Sequence, residues 1–509
     1  MLLSEVVDTS AAVAATRSRL AKVKALSALL RGASADVVLA VVSFLIGTPR
    51  QGRIGAGWRT VFDLSVPPVE QAGLTVAEVD AALAEVAATS GKGSAQRRVD
   101  LLVELFGRST EAEQDFLRRL LTGELRQGAL EGVMLDAIAS AADVPGETVR
   151  RAFMLSGRLP ETAVAALTGG ASELEAFRLE VGRPLRPMLA SPAESLDEAL
   201  AELGSCVVEH KLDGARIQVH RSGDEVHIFT RTLREITKTV PELVELVRGL
   251  PCTSVVLDGE TLALTDEGRP RPFQETMSRF GAQDERELLL HPYFFDCLHL
   301  DGKDLLDEPL RDRLVALRQV AGEHVIPGEL DPSPEEAASV VAASLGAGHE
   351  GVMVKSLASP YAAGRRGRAW QKVKPVHTLD LVVLGVEWGS GRRRGWLSNL
   401  HLGARDPDGG PPVMVGKTFK GLTDELLTWQ TKALQEIATE QNDWVVMVRP
   451  ELVIEIELDG VQVSPRYPGG VALRFARVVR YRPDKDPSEA TTIEEVRALL
   501  PTAQPKPEA

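Results

Sequence analysis

Cysteine is scarce: only Cys206, Cys252 and Cys297 occur in 509 residues. They lie too far apart for a disulfide framework or a Cys-x-x-Cys zinc site, so a reducing, cytoplasmic compartment is expected. No histidine precedes His210, and no two of the nine histidines fall at metal-ligand spacing. Long apolar runs are missing. The longest near the N-terminus, Val37 to Ile46, is too short to span a bilayer and lacks the flanks of a signal peptide, so no membrane association is expected. Internal repeats are missing as well. An excess of positive charge is also absent, since the chain carries a net charge of −14. That balance argues against nucleic acid only on average, because binding depends on where the charges sit. Arg365, Arg366, Arg368, Lys372, Lys374, Arg392, Arg393 and Arg394 crowd one region, and Arg474, Arg477, Arg480, Arg482 and Lys485 another. Local basic surfaces of this kind can hold phosphate on an acidic chain.

What is present is a multidomain chain. Hydrophobic content of 44% and charged content of 26% are ordinary for globular protein, and the length implies roughly three domains. Residues 1–170 read as all-α: Thr75-x-x-Glu78 is a capping-box signature, followed by Val79, Leu83 and Val86 at helical spacing. Arg118, Arg119 and Arg126 in this part are candidate phosphate contacts. Residues 171–185 read as a linker. Residues 186–375 alternate short β-type runs with helices, the texture of an α+β domain with antiparallel sheets. Residues 376–490 are strand-rich, with Ile454, Ile456 and Leu458 alternating with Glu455 and Glu457 before an Asp459-Gly460 turn. A compact β-barrel is expected there. Residues 491–509 form a C-terminal segment whose last residues, from Pro501, read as disordered.

Chemistry gathers in the middle part. Glu209-His210-Lys211-Leu212-Asp213-Gly214-Ala215-Arg216 sets a lysine, an aspartate, a glycine and an arginine within six residues, between two apolar runs that read as strands. Alone, this is more often a hairpin with charges in solvent. A lysine fixed on a strand end is nevertheless a candidate nucleophile. Carboxylates follow at strand ends, in Leu257-Asp258-Gly259-Glu260 and in Glu350-Gly351-Val352-Met353-Val354-Lys355. Trp370-Gln371-Lys372-Val373-Lys374-Pro375 then places two lysines on one face of a strand by alternation. An amine, two carboxylates and two further lysines suit attack on a nucleotide phosphate. The carboxylates can hold Mg²⁺, and the lysines can neutralise developing phosphate charge.

In this order the motifs resemble those of the ATP-dependent DNA ligases, within the covalent nucleotidyltransferase superfamily that also holds RNA ligases and capping enzymes. The resemblance implies a lysine–AMP adduct on Lys211, with ATP as substrate and Mg²⁺ as cofactor. It implies that Glu209 lies near the adenine amino group, that Arg231 of Thr230-Arg231 contacts nucleotide or DNA phosphate, and that Glu260 contacts the ribose. By position in Tyr293-Phe294-Phe295-Asp296, Phe295 would stack on adenine. Glu260 and Glu350 would hold metal, and Lys372 and Lys374 would bind phosphate. Arg474-Phe475-Ala476-Arg477 through Asp484-Lys485 resembles the family's last motif, with alanine where proline is usual, and would bring Arg477 and Lys485 to ATP. Arg216 would bind ATP and, with Asp213, face DNA, as would Arg126 and the Arg392-Arg393-Arg394 loop. Leu117-Arg118-Arg119-Leu120-Leu121-Thr122-Gly123-Glu124-Leu125-Arg126-Gln127-Gly128 is similar to a signature of the helical DNA-binding domain of larger ligases. The third domain would be an OB-fold. A monomer that encircles nicked duplex DNA is implied, with an RNA ligase or a capping-type enzyme as the rival reading.

Overall fold

The computed structural model describes every residue except 53, 126–129, 267, 272–274, 277–288, 363–365, 391–392 and 501–509. The N-terminal part is helical, from Leu3–Ala15 to Leu159–Glu175, the last helix kinking at Gly170. Thr75 opens the helix Val76–Ala88 with the expected capping box: the Thr75 N–H donates to Glu78 at 2.9 Å, and the Glu78 N–H returns to Thr75 Oγ1 at 3.3 Å. In the helix Glu111–Thr122, Phe116, Leu117 and Leu120 fall on one face and are buried, and Gly123 ends the helix in the left-handed region. These faces meet in one apolar core built from the whole helical part.

The middle part holds two five-stranded sheets. Among the described residues ten strands contribute: β1 Leu189–Pro192, β2 Cys206–Lys211, β3 Ala215–Ser222, β4 Glu225–Thr230, β5 Ser254–Ala263, β6 Leu290–Leu300, β7 Lys303–Asp304, β8 Gly328–Leu330, β9 Gly351–Ser356 and β10 Arg366–Val373. One sheet has the order β1-β10-β9-β2-β8, the other β4-β3-β5-β6-β7. All pairings are antiparallel except β1 with β10. The Asp213-Gly214 turn does not close a hairpin. β2 pairs with β8 and β9, and β3 with β4 and β5, so the chain crosses from one sheet to the other at this turn. Gly214 permits the crossing, because a Cβ there would lie 2.5 Å from the Thr261 carbonyl oxygen. Leu212, Leu262, Phe295, Tyr361 and Trp370 pack between the sheets, and Met154 and Leu155 of the helical part join them.

The C-terminal part is β-rich and antiparallel. Among the described residues its strands are β11 His377–Trp388, β12 Leu397–Ala404, β13 Val413–Thr418, β14 Ala438–Gln441, β15 Val445–Val448, β16 Val453–Leu458, β17 Gly460–Val463, β18 Val471–Arg474 and β19 Arg477–Tyr481. The long β11 pairs with β12 along one edge, and on the other with β16 through its first half and β15 through its second. In β16, Ile454, Ile456 and Leu458 are buried while Glu455 and Glu457 are half-buried, as the alternation predicts. Among the described residues no helix is long and apolar enough to cross a membrane.

Candidate functional site

The crossing between the sheets opens a cleft of about 630 Å³, lined among others by Glu209, Lys211, Arg216, Arg231, Glu260, Phe295, Lys355, Trp370 and Lys372. Strand register sets its floor. Lys211, the last residue of β2, lies opposite Gly351, and the Glu350 N–H donates to the Lys211 carbonyl at 2.9 Å. This brings the Glu350 carboxylate to the Lys211 amine, whose Nζ donates to Glu350 Oε2. Lys374 Nζ meets the same oxygen at 2.7 Å, and Arg474 reaches Glu350 Oε1 at 3.4 Å. Burial works against charge on Glu350, but Lys211 and Lys374 overcome it and hold the carboxyl down at about 2.

On the opposite sheet, Arg216 stands across from Glu260 in register and turns its guanidinium to Asp258 in a bidentate pair of 2.6 and 3.0 Å. It also donates to the Met188 carbonyl at 2.7 Å. Tyr361 donates to Asp258 at 2.7 Å and accepts from the Met188 N–H at 3.0 Å, which closes the network. Burial opposes the charge on Arg216, and Asp258 more than offsets it. Glu260 is half-buried in the cleft wall, and desolvation pushes its carboxyl up to about 7 against the pull of Arg216 and Lys211. The β5–β6 pairing skips a residue between Asp296 and Phe294, leaving Phe295 at the resulting bulge, from which it joins the cleft wall. The Phe295 ring carries Lys355 Nζ at 4.3 Å and the Arg216 guanidinium at 5.3 Å from its centroid.

Glu209 and Lys355 form a buried ion pair at 2.5 Å, diagonally across β2 and β9. Burial raises the Glu209 carboxyl, with Lys355 pulling the other way. The two lysines expected on one face diverge. β10 ends at Val373, so alternation no longer governs Lys374; Lys372 lines the cleft, whereas Lys374 spans Glu350 and Asp459, the latter at 3.2 Å. Burial and the neighbouring Lys374 and Lys211 lower Lys372, while Glu350 and Asp459 raise Lys374 against its burial.

Asp213 is engaged by Arg474 of β18, with contacts of 2.8 and 3.3 Å from the C-terminal part. Lys374, Arg477 and Lys485, expected at ATP, and Glu350, expected at metal, are not among the residues lining the cleft. Arg477 is exposed and 3.9 Å from Glu457, and Lys485 pairs with Asp380 at 2.6 Å, both within the C-terminal part. Arg231 lies exposed on the cleft rim. Arg393 donates to the Phe419 carbonyl at 2.5 Å and Arg394 is exposed. Arg126 and Arg392 lie outside the described residues. Arg474 and Lys355 stand within the motifs, but the resemblance assigns neither a role of its own. A lysine at an otherwise apolar strand position was the available signal for Lys355. Locally Arg474 is marked only as one of a basic cluster, and its side-chain partners are 124 residues or more away.

Among the described residues no cluster of three metal-ligating side chains occurs. Glu260 and Glu350 offer oxygen donors of the type Mg²⁺ takes, a cation that commonly keeps waters and substrate phosphates in its remaining positions.

Residues 59–139 match the family "DNA ligase N terminus", residues 187–374 "ATP dependent DNA ligase domain" and residues 393–485 "ATP dependent DNA ligase C terminal region". A Rhodococcus jostii protein described as "Probable DNA ligase" is 68% identical over 502 residues, spanning 98% of this chain and 100% of that protein. A Saccharopolyspora erythraea protein of the same description is 68% identical over 499 residues, with 98% of each chain covered. The solved structure "Pmar-Lig_PreS3" shares the fold at a TM-score of 0.60 and 17% identity, covering 94% of this chain and 99% of that one.

Proposed function

The chain belongs to the ATP-dependent DNA ligase family, and from that premise we propose how its residues divide the work of sealing a nick. Lys211 Nζ attacks the α-phosphorus of ATP. An N–P bond forms as the bond to the α,β-bridging oxygen breaks, pyrophosphate departs and the amine gives up a proton. An oxygen of the 5′-phosphate at the nick then attacks the AMP phosphorus and releases Lys211, which regains a proton. Finally the 3′-hydroxyl displaces AMP, joining the strands. Three in-line displacements replace one hard dehydration.

The observation that carries this reading is Lys211, which lines a nucleotide-sized cleft and whose amine meets Glu350, itself paired with Lys374. Within it, Glu209 reads the base, Phe295 offers it an aromatic surface and Glu260 holds the ribose. Lys372, Lys374 and Arg231 balance phosphate charge. Glu260 and Glu350 would hold Mg²⁺, which when bound withdraws charge from the phosphate oxygens. Arg216 supports the wall through Asp258 and keeps donors for a DNA phosphate beside Asp213. Arg477 and Lys485 act at ATP after a swing of the C-terminal part.

The proposed domains are a helical DNA-binding unit over residues 1–170, the nucleotidyltransferase unit over 186–375 and an OB-fold over 376–490. The helical unit, with Arg126, and the Arg392-Arg393-Arg394 loop grip nicked duplex DNA. A monomer closes around it, a reading supported by the ion pairs Arg17–Asp424 at 3.4 Å and Arg151–Asp307 at 2.6 Å, which tie the helical part to both others. Three free cysteines suit a cytoplasmic setting.

The test is incubation with labelled ATP and Mg²⁺, wild type beside Lys211→Ala, followed by a chase with nicked DNA. Label should attach to the wild type alone and leave it on the chase. Label on Lys211→Ala, or an adduct that nicked DNA does not discharge, contradicts the reading.

A further inference from the structure

Lys355 is unusual for a lysine. It is 1% exposed, in a strand whose neighbours Val352 and Val354 are fully buried. Its Nζ is 2.5 Å from Glu209 Oε2, 4.3 Å from the Phe295 ring centroid and 4.4 Å from that of Trp370. One ammonium thus ties together a carboxylate and two aromatic rings, all lining the cleft. A buried ion pair gains little stability over an apolar pair of the same shape, so its position in a ligand cleft calls for another account.

Resting on the reading that Glu209 faces the base, we propose that Lys355 is the positioning residue that sets the enzyme's choice of ATP over GTP, by holding Glu209 as an ionised, acceptor-only carboxylate. An ionised carboxylate accepts hydrogen bonds and cannot donate them. It therefore suits the 6-amino group of adenine and repels the 6-oxygen of guanine, which is itself an acceptor. A protonated Glu209 would carry an O–H able to donate to that oxygen, and the discrimination would weaken. Burial drives Glu209 toward the protonated form, and Asp296 pushes the same way. Asp296 is itself neutralised by Arg313 at 2.8 and 3.0 Å. Lys355 and, more weakly, Arg318 oppose them. Of these only Lys355 forms an ion pair with Glu209. Its contacts with Phe295 and Trp370 fix the ammonium, and through it the carboxylate, relative to the aromatic wall.

The experiment measures formation of the covalent lysyl-nucleotide with labelled ATP and labelled GTP, as the ratio of kcat/KM values, in the full-length enzyme. Lys355→Met should lower the ATP:GTP ratio about 10- to 100-fold, since a site that reads a base by one hydrogen bond loses much of its selectivity when that bond changes character. Lys355→Arg should keep the ratio near the wild-type value. In a Glu209→Gln background, Lys355→Met should change the ratio less than about twofold, because a residue acting through Glu209 has nothing left to act on. An unchanged ratio in Lys355→Met, or an equal drop with and without Glu209, overturns the proposal. Should Lys355→Met alone fail to fold, the double variant against Glu209→Gln decides: the same ratio supports the proposal and a further drop overturns it. Glu209→Gln alone separates the parent reading from this one. If it leaves the ratio unchanged, Glu209 does not read the base; if it relaxes the ratio and Lys355→Met does not, only the role of Lys355 fails.

Discussion

At the scale of the residue, the cleft depends on charges whose partners are buried with them. The Arg216–Asp258 pair has side chains 15% and 1% exposed. Removing one member of such a pair leaves an uncompensated charge, at a cost of about 3–5 kcal/mol. Asp258→Asn should therefore lower unfolding stability by about that amount in a denaturant titration. Tyr361→Phe, which removes one hydroxyl from the same network, should cost about 1–3 kcal/mol. Equal losses would mean that the guanidinium finds another partner. The primary residues of the site, Lys211, Glu209, Glu260, Phe295 and Lys372, were legible because their types recur in a fixed order, and they do line one cleft. Asp258, Tyr361 and Lys355 were not legible as functional. Their importance lies in which partner each meets, and Tyr361 and Asp258 are 103 residues apart.

At the scale of the element, positions depend on strand pairing, and pairing is the part of the fold a linear reading sees least. The strands flanking Asp213-Gly214 were recognisable from their apolar runs, but their membership of different sheets was not, since each finds its partners far along the chain. The same holds for Lys372 and Lys374, whose shared face depended on where β10 ends. Gly351 shows how tightly pairing sets the site. Its φ is +136°, and a Cβ there would lie 2.3 Å from the Val373 carbonyl oxygen. Gly351→Ala therefore forces β9 from β10 and moves four groups at once: Glu350 just before it, Lys211 opposite it, and Lys372 and Lys374 around the clash. Lysyl-AMP formation should fall about a hundredfold, as a shift of about 1 Å in a positioned group can cost. Far-ultraviolet circular dichroism should stay near wild type. A variant with wild-type adenylylation rates would show that the strands tolerate the extra carbon and that the site does not depend on their close approach.

At the scale of the whole molecule, one basic segment of the C-terminal part is divided in its contacts. Arg474 reaches into the middle part, to Asp213 and Glu350, while Asp459 meets Lys374. Eleven residues on, Lys485 is turned to Asp380 of its own part, beside Arg482 at 3.2 Å from the same carboxylate. The C-terminal part thus presents one charged face to the cleft and keeps the other away. A residue remote from Lys211 can serve the attack on ATP only if that part rotates, and the rotation must break the Arg474 contacts that hold the present arrangement. Two variants separate the arrangements. Lys485→Ala should slow lysyl-AMP formation about a hundredfold, the order expected for losing one fixed charge at a reacting phosphate, and should leave sealing of a pre-adenylylated nick nearly intact. Arg474→Ala should do the reverse, because it loosens the arrangement in which Asp213 and Glu350 are clamped while sparing the one proposed for Lys485. Equal losses in both assays for both variants would mean that a single arrangement serves every step and that the C-terminal part does not swing.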